Sequence, residues 1–241
     1  MVKDRRRRPK SASSGVITGR FEIQIPSRGL VRLLTGVALV LVSCHGVLSV
    51  YHTQVNELPW LLIQLFDVDQ ENNFPTWFSS FLLLTSAALL WLCGRHKRSV
   101  QDAWARHWTA LALGFMLLSL DEVAGVHETI NSVIVMTWAI PAAFAVLVLG
   151  LAFLPFLLAL PRPTRVLFVV AGAMYVAGGA GLEIVGNDMV SQGLRDTLRY
   201  KMTTLAEESL EIFGVILFLH ALLGYMAGTD GRSVAAAVEV R

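Results

Sequence analysis

The sequence predicts an all-α polytopic membrane helix bundle, about six transmembrane helices plus a short interfacial helix, and three observations carry that reading. Hydrophobic residues make up 54% of the 241 and charged residues only 16%, against about 25% charged in a soluble domain. Six apolar segments approach the ~20 residues that a bilayer requires. Lys and Arg are absent from Leu33 to Gly94 and again from His107 to Pro161, which is the asymmetry of alternating loops about a membrane. Mean hydropathy of +0.58 agrees.

In chain order, residues 1–28 form a basic tail with the run Arg5-Arg6-Arg7-Arg8. No small-residue cleavage site follows the first apolar stretch, so the tail is expected to remain as an uncleaved cytoplasmic segment. The arginine run is expected to contact anionic membrane lipid and to set topology, not to bind nucleic acid. Residues 29–228 form the transmembrane domain, with spans near 30–52, 75–94, 106–128, 137–160, 165–186 and 205–227, and 229–241 form a second tail. Leu58-Pro-Trp-Leu-Leu-Ile-Gln-Leu-Phe66 is too short to cross and reads as an interfacial helix with Trp60 at headgroup level. Arg95, Lys97, Arg98, Arg106, Arg162 and Arg165 fill two of the loops, so those loops and both termini are expected in the cytoplasm of a bacterial cell, with the spans in its inner membrane. Arg195, Arg199 and Lys201 are expected in an outer loop. Cys44 and Cys93 fall at opposite levels of neighbouring spans and read as packing residues.

Acids interrupt these apolar segments. Asp121, Glu122, His127 and Glu128 sit at one end of the third span, Glu183 in the fifth, and Glu207, Glu208 and Glu211 in the sixth. Each ionisable group near a bilayer centre costs at least about 2.5–3.5 kcal/mol, so such groups face a protein interior, a partner or water. At 1.5 Å per residue, Asp121 lies about 22 Å above the inner end of its span, Glu183 about 27 Å, Glu211 about 24 Å and His45 about 22 Å. Four helices thus offer acid or imidazole at one level, in the outer third of the membrane. Asp121 and Glu128, seven apart, share a face of a continuous helix, and Glu207, Glu208 and Glu211 form one patch. Tyr175, Gly179, Glu183 and Asn187 make an i,i+4 stripe, while Ala173, Ala177 and Gly181 supply the small residues for close helix approach. His220 points away from the acids and reads as a packing residue.

Like-charged carboxylates in low dielectric require compensation. A divalent cation (Zn, Mn, Fe or Ca) could be held by Asp121, His127, Glu128, Glu183, Glu208 and Glu211, with Asp121, Glu128 and Glu208 as the catalytic candidates. Some acids could carry protons instead, as relays and general acids do, or Arg195, Arg199 and Lys201 could fold down as counter-ions. No HExxH is present to favour a metal. A second acidic stretch, Asp67-Val-Asp-Gln-Glu-Asn-Asn-Phe-Pro75, offers Asp67, Asp69 and Glu71 as alternating oxygen ligands for Ca²⁺. An Asx turn leading into a capped helix explains much of the same pattern.

The segments Phe66 to Ser79, Leu118 to Glu128 and Glu207 to Glu211 resemble a family of uncharacterised bacterial multi-pass membrane proteins, a resemblance that implies a membrane bundle and no particular activity. A looser similarity is to alkaline ceramidases and related seven-span metal hydrolases, which place an acidic Ca²⁺ loop before a span and a metal inside the bundle. The paired histidines on the last span of those enzymes are here reduced to His220. No GxGxxG or P-loop supports nucleotide use, and neither His45 nor His127 lies in a haem motif. The function expected from the residues is a metal-assisted enzyme acting on a lipid or other apolar substrate at an outward-facing carboxylate pocket. The alternatives are a proton- or cation-handling transporter or sensor, and a structural accessory subunit whose acids pair with basic residues.

Overall fold

The computed structural model describes residues 20–25, 27–126, 139–228 and 234–239, with side chains described for 27–126 and 140–228. Its body is all-α. In chain order the described helices are α1 (Ser27–Gln54), α2 (Trp60–Phe66), α3 (Phe74–Ser99), α4 (Ala105–Ala124), α5 (Ala139–Ala159), α6 (Arg162–Val176), α7 (Glu183–Ser191) and α8 (Leu198–Met226). A π-helical segment, Ala177–Leu182, joins α6 to α7 without a break. Among the described residues five helical stretches are long and apolar enough to cross a membrane: α1, α3, α5, α6 through α7, and α8.

Local chemistry sets the boundaries. Asn73 caps α3 by accepting the Thr76 N–H, followed by Pro75 in the first turn, while His96, Lys97 and Arg98 face the negative end of its dipole. Gly125, at φ 57°, ends α4 and returns its N–H to the Asp121 carbonyl, a conformation that suits glycine. Thr197 caps α8 through the Tyr200 N–H. Arg165 Nη1 donates to the Leu158 carbonyl near the end of α5, supplying a partner to a terminal helix carbonyl. Trp60–Phe66 is a seven-residue helix with no buried residue, as an interfacial element requires.

α3 and α4 form an antiparallel hairpin in contact at both ends. Ser80 and Ser119 each donate to the other's backbone carbonyl at 3.0 Å, and a Cβ on Gly94 would lie 2.8 Å from Thr109 Oγ1. α8 is the central helix: Val215, Ile216, Phe218, Leu219, Ala221, Leu222 and Leu223 are buried along its second half. They meet Leu82, Leu83 and Leu90 of α3, Ala38 of α1 and Phe168 of α6 in one apolar core. Trp108 is buried against Phe156, Phe168 and Tyr225, with ring centroids at 5.1, 6.3 and 4.9 Å. Lys97 Nζ stands 5.5 Å over the Tyr225 ring and 3.0 Å from Asp102. The α3–α4 turn, the α5–α6 turn and the end of α8 therefore share one basic end of the bundle.

Several expectations are revised. The third expected span stops at Ala124, and residues 127–138 lie outside the described residues, His127 and Glu128 among them. The helix that carries Asp121 ends at the left-handed Gly125, so the face it was expected to share with Glu128 lies outside the described residues. The fifth helix runs on to Ser191, and the sixth begins at Leu198, so Arg199 and Lys201 are helical residues rather than loop residues. Close approach of α6 to α8 does not use the Ala173–Ala177–Gly181 stripe. A Cβ on Gly178 would lie 2.7 Å from the Glu207 carbonyl and 2.9 Å from Glu211 Cγ, one on Gly179 2.7 Å from Glu211 Oε1, and one on Gly214 3.0 Å from the Ala171 carbonyl. Gly181 meets only its own helix. The π turn holds an extra residue and so shifts the contact face. Residues 20–25 and 234–239, within the two expected tails, form an antiparallel strand pair, Arg20 opposite Glu239 and Ile25 opposite Val234. The period-two alternation of Phe21, Ile23 and Ile25 with Glu22 and Gln24 is its sequence signature.

Gly178→Ala should destabilise the protein by about 1–3 kcal/mol, since backbone stands where the methyl would go. Gly114→Ala, with nothing within 4 Å of its Cβ, should be neutral or raise stability by about 0.5–1 kcal/mol. Thermal unfolding of both variants in one detergent separates the two outcomes.

Candidate functional site

The acids converge, at the end of the bundle opposite the basic turns. Two cavities share Glu122, Glu183, Glu207 and Glu208 in their walls. The outer one, about 100 Å³, is completed by Val68 to Glu71 of the α2–α3 loop together with Thr76, Gly186, Asn187, Tyr200 and Thr204. The inner one, about 250 Å³, adds Asp121 and Glu211 on its polar side and Leu118, Ala142, Ala145, Val146 and Val176 on its apolar side. The face of α5 that lines it is lightly held: among the described residues of that helix none is buried before Phe156.

α7 and α8 supply the central pair. Glu207, only 7% exposed, hydrogen-bonds the Glu183 carboxyl, and Asn187 Nδ2 donates to Glu183 Oε1 at 2.9 Å. Two carboxyls bond to each other only when one carries the proton. Asn187 donates to Glu183 at the same time, so one proton and one amide donor serve the pair. Gly186 leaves room for this, since its Cβ position lies 3.8 Å from Glu207 Oε2. Deeper in, the Tyr175 hydroxyl bonds the Glu211 carboxylate, and Glu211 lies over Gly178 and Gly179.

The α2–α3 loop closes the outer side through a separate set of charges. Lys201 Nζ lies 3.0 Å from Asp67 Oδ2 and 3.6 Å from Asp69 Oδ2, and Arg195 reaches Asp69 at 4.0 Å. Tyr200 donates to Asp69 Oδ1 at 2.9 Å. Asp67 Oδ1 accepts the Asp69 N–H in an Asx turn, and Asn73 Nδ2 reaches the carbonyls of Gln64, Asp67 and Gln70. His45, 2% exposed, accepts the Val68 N–H on Nδ1 and so carries its proton on Nε2, toward Ser49 Oγ. The 3.3 Å approach of Asp67 to His45 Nδ1 is then a packing contact and not an ion pair. His45 holds the loop and does not line either cavity, against the expectation that it joins the acids.

The expected site residues divide accordingly. Asp121, Glu183, Glu208 and Glu211 line the cavities, whereas His127 and Glu128 lie outside the described residues. Among the described residues no three His, Cys, Asp or Glu side chains are grouped to hold a metal ion. Asp67 and Asp69 are engaged with Lys201, Tyr200 and Arg195, and Glu71 turns instead toward Gly125, where a Cβ would collide with its carboxylate. Of the three expected counter-ions, Lys201 and Arg195 reach the loop acids and Arg199 is exposed. His220 is exposed, away from the chamber. The selection from sequence passed over Glu122 and Glu207, which line both cavities. Gly178 was the available signal for Glu207, because its missing side chain makes room for the Glu207 carbonyl of α8.

Burial holds the Asp69 carboxyl above its ordinary 3.8, outweighing the opposing pull of Lys201 and the Tyr200 hydrogen bond. Between 3.8 and that raised value the folded chain retains a proton the unfolded chain has released, so stability falls as pH rises through the window. Asp69→Asn removes this titration. The melting temperature of the wild type, relative to Asp69→Asn, should drop as pH climbs from about 4 and then level off; a difference that grows in favour of the wild type would contradict the assignment.

Among the comparisons with known proteins, residues 31–225 match a family described as Domain of unknown function (DUF8692). Nothing among the curated proteins and nothing among the solved structures matches the chain. The match covers all of the described helices that build the two cavities, and the protein belongs to this domain family of unknown function.

Proposed function

We propose that the protein is a membrane-embedded enzyme that hydrolyses a lipid or other apolar substrate within the carboxylate chamber. One observation carries the reading: a polar cavity and a half-apolar cavity meet at a proton-sharing pair of glutamates. Water reaches the pair from the outer cavity, and the apolar wall of the inner cavity receives the substrate. Glu183 takes a proton from the attacking water as its oxygen bonds to the substrate carbon. Glu207 delivers its proton to the leaving atom as the scissile bond breaks. Proton transfer across the Glu207–Glu183 hydrogen bond then restores the starting state.

A divalent metal would need ligands beyond the described residues, with His127 and Glu128 the nearest in sequence to Asp121, and no step here is routed through one. The transport reading requires a polar route through the bundle. The packed core of Leu82, Leu90, Phe218, Leu219 and Leu222 below the chamber weighs against it.

Orientation belongs to the same proposal. Pairing of residues 20–25 with 234–239 supports both ends lying on one side of the membrane. The Lys and Arg of the α3–α4 and α5–α6 turns support that side being the cytoplasm of a bacterial inner membrane, with the chamber opening outward. A cysteine placed at Gln192 should react with a membrane-impermeant maleimide in intact cells, and one placed at Ser99 only after lysis; the reverse pattern would invert the topology.

Purified protein in vesicles made from ester- and amide-linked lipids should consume at least one lipid class over time, followed by mass spectrometry. Glu207→Gln and Glu183→Gln, with unchanged melting curves, should each slow that loss by about 100-fold or more. Equal lipid profiles for wild type and Glu207→Gln would overturn the enzyme reading.

A further inference from the structure

The strand pair sorts its residues by polarity. Residues 20–25 and 234–239 stand in register, Phe21 opposite Val238, Ile23 opposite Ala236 and Ile25 opposite Val234. Successive residues of a strand alternate between faces, and directly opposed residues share one. One face of the ribbon therefore carries Phe21, Ile23, Ile25, Val234, Ala236 and Val238, while Arg20, Glu22, Gln24 and Glu239 fall on the other. The sheet has two strands, and among the described elements they pack on each other and along no helix. A lone two-stranded ribbon is marginal in water and needs a third layer against its apolar face.

The place of the ribbon in the chain says what that layer is. A single residue separates Ile25 from Ser27, where α1 begins, so this corner of the ribbon stays within a few ångströms of the helix end. The 28 residues of α1 span about 42 Å, the thickness of a bilayer with its headgroups. The ribbon thus starts at headgroup level. That end of the bundle is cationic: Arg28 and Arg32 of α1 and Arg95 and Arg98 of α3 are exposed, whereas Asp102 is bound to Lys97. Arginines at headgroup level attract anionic lipid. A second copy is a poorer occupant. Six residues at 3.4 Å along two strands 4.8 Å apart give a face of about 200 Å², against about 800 Å² per partner in a stable interface. A bilayer surface sets no such threshold, because α1 already holds the ribbon against it.

We infer that the ribbon lies flat on the membrane at the basic end of the bundle, its Phe21, Ile23 and Ile25 face in lipid, and that with Arg28 and Arg32 it binds anionic phospholipid. The inference is independent of the chemistry of the chamber. Single cysteines at Ile23, Gln24, Ala235 and Ala236, in full-length protein with Cys44 and Cys93 replaced by alanine, carry a fluorophore in vesicles of neutral or part-anionic phospholipid. In the part-anionic vesicles, acyl-brominated lipid should quench the labels at Ile23 and Ala236 at least threefold more than those at Gln24 and Ala235. Neutral vesicles or high salt should at least halve that contrast. Hydrogen exchange of the unlabelled wild type provides a second measurement: amides of 20–25 and 234–239 should exchange at least tenfold more slowly in anionic than in neutral nanodiscs. Ile23→Ser should abolish that difference and Gln24→Ser should keep it. Equal quenching at neighbouring positions, or exchange indifferent to lipid charge, overturns the inference. Protection that rises with protein density, together with energy transfer between donor- and acceptor-labelled copies, also overturns it by assigning the face to a second copy.

Discussion

The close approach of α6 and its π turn to α8 is the constraint on which the site depends. Gly178, Gly179 and Gly214 stand where the backbone or a carboxylate of the facing helix leaves little or no room for a side chain. Without that approach Glu183 could not reach Glu207, and the acids would face lipid singly. A single ionised carboxylate in hydrocarbon is costly, while a pair that shares a proton and an amide donor is far less so. Helix packing and carboxyl chemistry are one arrangement here: the glycines make the contact, and the contact makes the buried acids tolerable.

Two sets of charges border on the outer cavity. Lys201, Arg195 and Tyr200 act on Asp67 and Asp69, and they fasten the α2–α3 loop to the start of α8. That loop is otherwise organised by Asn73 and by His45, so no bound cation is needed to explain its shape. The loop also closes the outer cavity, where Asp69 and Glu71 share a wall with Glu122, Glu183, Glu207 and Glu208. Lys201 and Arg195 therefore account for the acidic loop, while the buried glutamates of the chamber are tolerated by sharing protons and donors.

Much of this was legible in the sequence because membrane helices are constrained by length and composition. The positions of α1, α3, α5 and α8 follow from apolar runs, and the short helix at Trp60 from a run too brief to span. Convergence of Asp121, Glu183 and Glu211 followed from depth at 1.5 Å per residue, whereas His45, placed at the same depth, holds the loop through the Val68 N–H and lines neither cavity. Faces were less legible. The π turn rotated α6 relative to an ideal 3.6-residue register, so Gly178 and not Gly181 meets α8. The left-handed Gly125 ended α4 one turn after Asp121. Lys201 was read as a loop residue because a charge near an apolar run looks like its boundary, whereas Thr197 caps the helix four residues earlier.

α4 tests how far composition can be trusted. It is not among the helices apolar enough to cross by composition, since Asp121 and Glu122 lie in its last turn and Arg106 in its first. Yet it returns along α3 from Gly94–Thr109 to Ser80–Ser119, and twenty residues span about 30 Å, the thickness of the hydrocarbon layer. Its two acids turn into the cavities instead of toward lipid, which removes the penalty that a hydropathy average assigns to them. Were α4 to stop short, an odd number of crossings would leave residues 20–25 and 234–239 on opposite sides of the membrane. Their pairing would then be impossible. The strand pair and the α3–α4 hairpin thus support the same count of six crossings, and they do so through contacts that owe nothing to hydropathy.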